Sequence, residues 1–258
     1  MKLPLIFIGH GSPMNAIEKN IYSDSWREIG RGVGTTPRAI LMLSAHWITE
    51  GITRINTTNT PEMIYDMYGF PPELYRVKYS CPGSKIISEE IIDALSPEYS
   101  LIEDGEHGID HGAWSTLIHL FPEAKIPVIQ MSLDYSKTPE WHFNFGKKLQ
   151  ILREQGILII ASGNIVHNLR EIDWSGEEKY DWAVEFDKRV ADAIERKNYS
   201  ELLDFQNWGN ISRLAHPSYD HLLPLFPLIG AVSDEDNIEF YTPEITMGSL
   251  AMRSVVWR

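Results

Sequence analysis

Four of the nine histidines in this 258-residue chain, His10, His46, His167 and His221, stand in separate segments whose surroundings suit metal ligation. Three of them follow short apolar runs that read as buried strands. Leu3 to Ile8 precedes Gly9-His10-Gly11-Ser12-Pro13, and Ala39 to Leu43 precedes Ser44-Ala45-His46-Trp47. Ile157 to Ile160 precedes Ala161-Ser162-Gly163-Asn164-Ile165-Val166-His167. In an open α/β sheet, ligands bind in the crevice beyond the carboxyl ends of the strands. Imidazoles delivered there from several strands can share one cation. A single histidine in such a place is ordinarily a hydrogen-bonded structural residue; the joint placement points to a metal.

The local settings add detail. Glycines flank His10, which lets the backbone turn sharply and a ligand approach closely. Trp47, beside His46, is a candidate to wall off water, and Trp114 is a second candidate wall. Ser162-Gly163-Asn164 precedes His167, and the Asn164 amide could orient an imidazole or donate to a developing anion. His216 and His221 share one segment, His216-Pro217-Ser218-Tyr219-Asp220-His221. His221 is the preferred ligand, because a helix starting near Ser218 puts it in the first turn, whereas His216 precedes a proline and ends a loop. His111 follows Asp110, which could fix its tautomer or raise its basicity, so it is a candidate acid, base or substrate donor. In the plainer reading it is an ordinary first residue of a helix. His107, His119 and His142 read as structural, and Ser12 before Pro13 as a turn residue.

Cys81 is the only cysteine, which excludes an intrachain disulfide and a thiolate zinc cluster within one chain. A metal must therefore rest on nitrogen and oxygen. Neutral imidazoles suit Zn(II) and Fe(II) alike, and spacing does not choose between them. The HExxH pattern, a phosphate-binding Walker loop, a GxGxxG turn and a GxSxG elbow are all missing from the sequence.

The formal charge of −13 opposes phosphate neutralisation and leaves no basic patch for anionic lipid, so neither nucleic acid nor membrane is an expected partner. The longest apolar run, Leu222 to Val232, contains Pro224 and Pro227 and is far shorter than the roughly 20 residues of a spanning helix. Leu3 to Ile8 is too short for a signal segment, which gives a cytoplasmic expectation. No linker, repeat or low-complexity tract interrupts the chain, so residues 1–258 are expected to form a single domain.

The elements that must position the histidines alternate between strand-like and helical patterns, which favours an α/β fold with a central, largely parallel sheet. After Ser84 the apolar spacing predicts a helix that Pro97 stops, and Ala113 to Phe121 predicts a second. Ile126 to Leu133 reads as a strand. Thr138-Pro139-Glu140 opens a helix that runs to Gln155, where Gly156 ends it before the next strand. Tyr180 to Lys197 is amphipathic, with Trp182, Phe186, Val190 and Ile194 mostly on one face. Tyr219 to Ile229 reads as a helix carrying His221. Ile238 to Tyr241 and Leu250 to Trp257 read as late strands.

Taken together, Gly9-His10-Gly11-Ser12-Pro13-Met14, Ser44-Ala45-His46-Trp47, Asp110-His111-Gly112-Ala113-Trp114, Gly163-Asn164-Ile165-Val166-His167-Asn168-Leu169 and His216 to Pro224 carry a resemblance. The chain resembles the class III extradiol ring-cleavage dioxygenases, and within them the 4,5-DOPA dioxygenase branch. The matching segments run from near the first residue to Met247-Gly248-Ser249. The resemblance implies one catalytic domain over 1–258, an α/β sheet flanked by helices and a mononuclear metal at its carboxyl edge. It implies metal binding at His10, His46, His167 and His221, with His167 also a base near the oxygen site and His111 a substrate-side group. The chain departs from protocatechuate-cleaving relatives, which use two histidines and a glutamate, by offering His221 in the matching late segment.

The resemblance further implies one divalent metal per chain, Fe(II) for ring cleavage with Zn(II) as another ion the site can bind, and a small aromatic diol and O2 as reactants. A catechol such as DOPA, another substituted catechol or a hydroquinone-like compound would be opened to a semialdehyde product. Zinc has no accessible redox change, so a native zinc ion would instead indicate a zinc-dependent hydrolase on the same scaffold. A non-catalytic metal or small-ligand binding protein is the third reading.

Overall fold

The computed structural model describes residues 2–96, 98–176 and 179–258. In chain order the first half comprises β1 (Leu5–Gly9), α1 (Ile21–Gly32), β2 (Ala39–Thr49), β3 (Thr53–Asn56), α2 (Lys85–Leu95), β4 (Leu101–Asp104), α3 (His111–Leu120) and β5 (Val128–Asp134). The second half comprises α4 (Pro139–Glu154), β6 (Ile157–Gly163), α5 (Asp181–Glu195), α6 (Tyr199–Leu203), α7 (Asn210–Ala215), α8 (Leu225–Gly230), β7 (Ile238–Tyr241), β8 (Ile245–Thr246), β9 (Leu250–Ala251) and β10 (Ser254–Trp257). Among the described residues, no helix is long and apolar enough to cross a membrane.

Eight strands form one sheet in the order β4-β3-β5-β2-β6-β1-β10-β7, and β8 pairs with β9 apart from it. The four central strands β5, β2, β6 and β1 are mutually parallel, while β10 and β7 close one side antiparallel. Apolar runs make these central strands because both faces of the sheet are covered. Ile6, Ile8, Ile40, Met42, Leu158 and Ile160 point to one face and pack with Trp26 and Ile29 of α1 and Trp114 and Leu117 of α3. Leu5, Phe7, Leu41, Leu43, Ile157 and Ile159 point to the other, against Phe145 and Leu149 of α4, Phe186 and Val190 of α5 and Phe226 of α8. The result is a helix-sheet-helix sandwich, a single α/β domain.

Local chemistry sets the helix ends. Ser84 and Thr138 accept hydrogen bonds from Ile87 and Trp141 backbone N–H groups, and Gly156 takes φ +80° between α4 and β6. Pro97, the expected stop for α2, lies outside the described residues. Arg153, fully buried near the end of α4, donates to the Leu3 and Ala231 carbonyls and makes a two-pronged pair with Asp236 at 2.7 and 3.0 Å. It ties the start of the chain to the segment after α8.

Two elements differ from the sequence reading. The strand expected to stop at Leu43 continues through His46 to Thr49, because its partnership with β5 is interrupted and resumed: Leu43 pairs Met131 and Ile48 pairs Leu133. That bulge re-aims the residues between them. The helix expected from Tyr219 begins only at Leu225. The His221 carbonyl accepts from the Asn164 N–H at 2.9 Å, while the Leu225 N–H that would close a helical turn on it bonds the Leu222 carbonyl at 3.0 Å instead. His221 therefore sits in a turn.

Candidate metal centre

His10, His46 and His221 meet beyond the carboxyl ends of the central strands, each offering a ligand atom within 4.8 Å of the others'. Their ring centroids lie 5.1 to 5.3 Å apart in all three pairs. His10 directly follows β1, and His46 is delivered by the bulged end of β2. His221 arrives on a turn that docks against the end of β6. That docking explains Gly163, where an added Cβ would lie 2.2 Å from the His221 carbonyl oxygen.

Each of the three rings has its Nδ1 engaged by oxygen. Ser162 donates its only proton to the Gly112 carbonyl at 2.6 Å, so at 2.8 Å from His10 Nδ1 the hydroxyl must accept. His46 Nδ1 faces Asp66 at 3.1 Å, and His221 Nδ1 faces Asp220 at 2.5 Å. Ionised carboxylates only accept. All three neutral imidazoles thus carry their proton on Nδ1 and keep a bare lone pair on Nε2, the arrangement that second-sphere oxygens impose on metal-binding histidines.

The Nε2 atoms of His10 and His46 stand 3.4 Å apart. Two lone pairs at that distance repel unless a positive centre lies between them. A cation about 2.0–2.1 Å from each nitrogen, the usual metal–imidazole length, fits that spacing. A proton on His46 would fill the same gap, and metal binding would release it. The residues present therefore fit a divalent metal.

Burial pushes the His10 and His221 pKa values well below the ordinary imidazole value, and the neighbouring histidines push them further. For His46 burial acts downward too, but the Asp66 hydrogen bond and the charges of Asp110, Asp66 and Asp220 outweigh it and raise the pKa. Burial would raise Asp66, yet hydrogen bonds from His111 and His46 hold its carboxyl far below the usual range. An anion stays ionised here because two imidazoles face it.

Asp66, rather than Asp110, accompanies His111. It accepts the His111 backbone N–H at 2.9 Å and lies 3.0 Å from Nδ1. His111 is 3.9 Å from His46, ring centre to ring centre, and 6.1 Å from His10. Asp110 instead caps α3 through the Ala113 N–H and accepts from Ser44 and Gln130. Asp66 lies in a loop without regular structure, and no motif in the sequence marks it. The loop is held by the Trp114 indole, which donates to Ile64 at 2.9 Å. Trp114 is wholly inside the core rather than a pocket wall, and Trp47 stacks flat on His107 at 3.7 Å.

His167 lies outside the group of three. Its ring stacks on His221 with centroids 3.5 Å apart and planes within 2°. Burial lowers its pKa to about 3, against the opposing charge of Asp220, so it is neutral at physiological pH. The Asn164 amide orients no imidazole. It accepts from the Gly11 N–H at 3.2 Å and donates to the Ala251 carbonyl at 2.7 Å, joining three segments beneath the site. His216 Nε2 pairs with the Ile165 carbonyl at 2.8 Å.

A doubly covered α/β sheet with histidines gathered at the carboxyl ends of its parallel strands is the build of a metal-dependent α/β enzyme. Residues 4–253 match the family described as the catalytic LigB subunit of aromatic ring-opening dioxygenase. The chain is 39% identical to a 4,5-DOPA dioxygenase extradiol of Escherichia coli (strain K12), over 98% of this chain and 94% of that one. It is 36% identical to one of Beta vulgaris, over 90% and 88%. A crystal structure of an uncharacterised Escherichia coli K12 protein superposes with a TM-score of 0.86 at 36% identity, covering 99% of both chains.

The chain belongs to the class III extradiol ring-cleavage dioxygenases, in their 4,5-DOPA dioxygenase branch. It is accordingly an enzyme of the extradiol ring-cleaving class, metal-dependent, with an aromatic substrate and O2 as reactants. The zinc-hydrolase reading is not favoured.

Proposed function

We propose that residues 1–258 act as one catalytic domain that opens the ring of a catechol, with DOPA as the leading example, giving a semialdehyde. One non-heme Fe(II) per chain would be held by His10, His46 and His221. The observation that carries this reading is the convergence of three imidazoles whose possible ligand atoms lie within 4.8 Å of one another and whose Nδ1 atoms are all engaged by oxygen, which leaves Nε2 of each for a metal. Bound there, a ferrous ion supplies the redox-active centre at which a catechol and O2 meet, which zinc cannot supply. DOPA is the substrate named for the relatives.

The side chains have separable tasks. We assign His167 the role of base rather than of fourth ligand, since its ring lies against the face of His221. With a pKa near 3 it is neutral before substrate arrives, one ring nitrogen carrying a hydrogen and the other free to accept. It accepts a phenolic proton only when an anionic partner lies beside it and raises its basicity, so proton transfer is tied to substrate binding. His111, its Nδ1 beside Asp66, has Nε2 left for a substrate oxygen. Asp66 links the two roles, because one carboxylate orients both His46 and His111.

The test is anaerobic reconstitution with Fe(II), followed by a catechol and oxygen. Oxygen uptake with a new visible chromophore is expected, and a zinc-loaded sample should give neither. Absence of uptake across several catechols would end the proposal. His10→Ala and His46→Ala should each abolish metal retention, and a variant that still holds one metal per chain removes that residue from the ligand set.

A further inference from the structure

We propose that His46, Asp66 and His111 form a second divalent-cation site beside the first, sharing the His46 ring, and that zinc bound there inhibits the enzyme. The inference rests on the reading of His10, His46 and His221 as the ligands of the catalytic metal, and adds a separate site to it.

The three side chains offer ligand atoms all within 4.8 Å of one another. The two oxygens of Asp66 face different rings: Oδ2 lies 3.1 Å from His46 Nδ1, and Oδ1 lies 3.0 Å from His111 Nδ1. Metal–ligand bonds of about 2.1 Å set neighbouring donors about 3.0–3.4 Å apart, so these spacings suit a small ion. They would suit hydrogen bonds as well, but His111 Nδ1 makes none. Its side chain is only 8% exposed, and the nitrogen is buried without a hydrogen-bond partner among the described residues. Asp66 Oδ1 takes the His111 backbone N–H at 2.9 Å instead. A buried ring nitrogen left in this state is costly, and a cation beside the carboxylate would satisfy it. Two nitrogens and one carboxylate suit zinc better than magnesium or calcium.

The loop that carries Asp66 is pinned, which places the carboxylate before an ion arrives. Ile64 donates to the Ile109 carbonyl at 2.8 Å and accepts from the Trp114 indole at 2.9 Å, and Ile109 donates to the Glu62 carbonyl at 2.7 Å. Charge admits a second ion too. Asp66, Asp110 and Asp220 all act on His46, and one divalent ion balances only two of the three. The Asp66 side chain is 26% exposed, which leaves the ion a way in from solvent.

On binding, His46, with Nε2 on the first ion, gives up its Nδ1 proton to solvent and bridges the two ions. His111 shifts its hydrogen from Nδ1 to Nε2 and loses the lone pair it holds toward a substrate hydroxyl. Zinc therefore inhibits without displacing the first ion. Two divalent ions about 6 Å apart across one ring repel each other, which even in water's dielectric weakens the second about 100-fold.

The experiment dialyses the metal-free full chain to equilibrium against buffered Zn(II) and counts zinc per chain by elemental analysis. Wild type should take up two ions, the second about 100-fold more weakly. His111→Gln and Asp66→Asn should each stop at one, and the ion they keep reports an intact fold. The chain loaded with one Fe(II) should lose oxygen uptake with a catechol as zinc is raised, its iron content unchanged. The inference is overturned if wild type saturates at one zinc, if either variant binds two or none, or if inhibition requires loss of iron. One zinc per wild-type chain leaves the catalytic centre standing, whereas none overturns both readings. Two zinc ions, with no oxygen uptake by the iron-loaded chain, overturn ring cleavage and leave the second site in place.

Discussion

Ser162→Ala removes a single oxygen that stands between His10 and the start of α3, and its consequences can be worked from the contacts it makes. The hydroxyl is fully buried, accepts from His10 Nδ1 at 2.8 Å and donates to the Gly112 carbonyl at 2.6 Å. Without it, the Nδ1–H loses its acceptor where water does not reach, at a cost of about 1–3 kcal/mol. The ring escapes that cost by moving its proton to Nε2, the atom a metal would use. Tautomer and metal then compete. Loss of a second-sphere partner of this kind typically weakens metal affinity about 10- to 100-fold, which is about 1.4–2.8 kcal/mol. The assay is an anaerobic Fe(II) titration against a competing chelator, with urea unfolding of the metal-free chain in parallel. We expect weaker metal binding together with a loss of about 1–3 kcal/mol in stability, since the Gly112 carbonyl is orphaned as well. A lowered stability with an unchanged metal Kd refutes the reasoning: Ser162 would then be a core hydrogen bond and nothing more.

Gly112→Ala should disturb the same centre by a different route, because the new Cβ would lie 2.6 Å from His46 Cδ2 and 2.8 Å from Ser44 Oγ. Overpacking of about 1–3 kcal/mol and weaker metal binding are expected; a variant as stable and as tight as wild type contradicts the packing argument. Arg153→Met removes the two-pronged partner of the buried Asp236 carboxylate, which keeps Lys2 at 2.8 Å and the Ser233 N–H at 2.8 Å, and should cost about 1–3 kcal/mol, short of the roughly 3–5 kcal/mol of a wholly unpaired buried charge, read by urea unfolding; an unchanged stability would show the pair to be dispensable. Burial lowers the His142 and His216 pKa values to about 4 each, against opposing carbonyl contacts. These groups bind protons more readily unfolded, at about pH 6.5, than folded. Stability of the metal-free chain should therefore be fully present above pH 6.5 and decline as the pH falls toward 4, each group contributing up to about 1.4 kcal/mol per pH unit. His142→Gln should flatten that slope, and a flat wild-type profile between pH 6.5 and 4.5 would sink the assignment.

The elements legible in the sequence are those whose signals are local. Ser84, Thr138 and Gly156 mark helix ends through bonds and dihedrals within a few residues of themselves, and the structure places helix boundaries at all three. The apolar runs before His10 and His167 are buried on both faces, so uninterrupted hydrophobicity reports them well. The extension of β2 through His46 was not legible, because the bulge exists only in relation to Met131 and Leu133 of a distant strand. The helix assigned from Tyr219 failed for a similar reason. Its periodicity is real, but the His221 carbonyl finds its donor in Asn164, far away in sequence.

The chain's residue order alone determined the fold class, the absence of thiolate ligands and the set of histidines worth considering, since these depend on composition, periodicity and neighbours in sequence. Tertiary structure alone decided which side chains accompany them. Asp66 took the place beside His111 that adjacency would have given to Asp110, and Ser162 became the group that sets the His10 tautomer. His167 was placed on the face of His221 rather than among the three converging nitrogens. Hydrogen-bond direction, ring orientation and the gap between two lone pairs depend on distances of a few ångströms between segments far apart in the chain, and only the packed sheet brings those segments together.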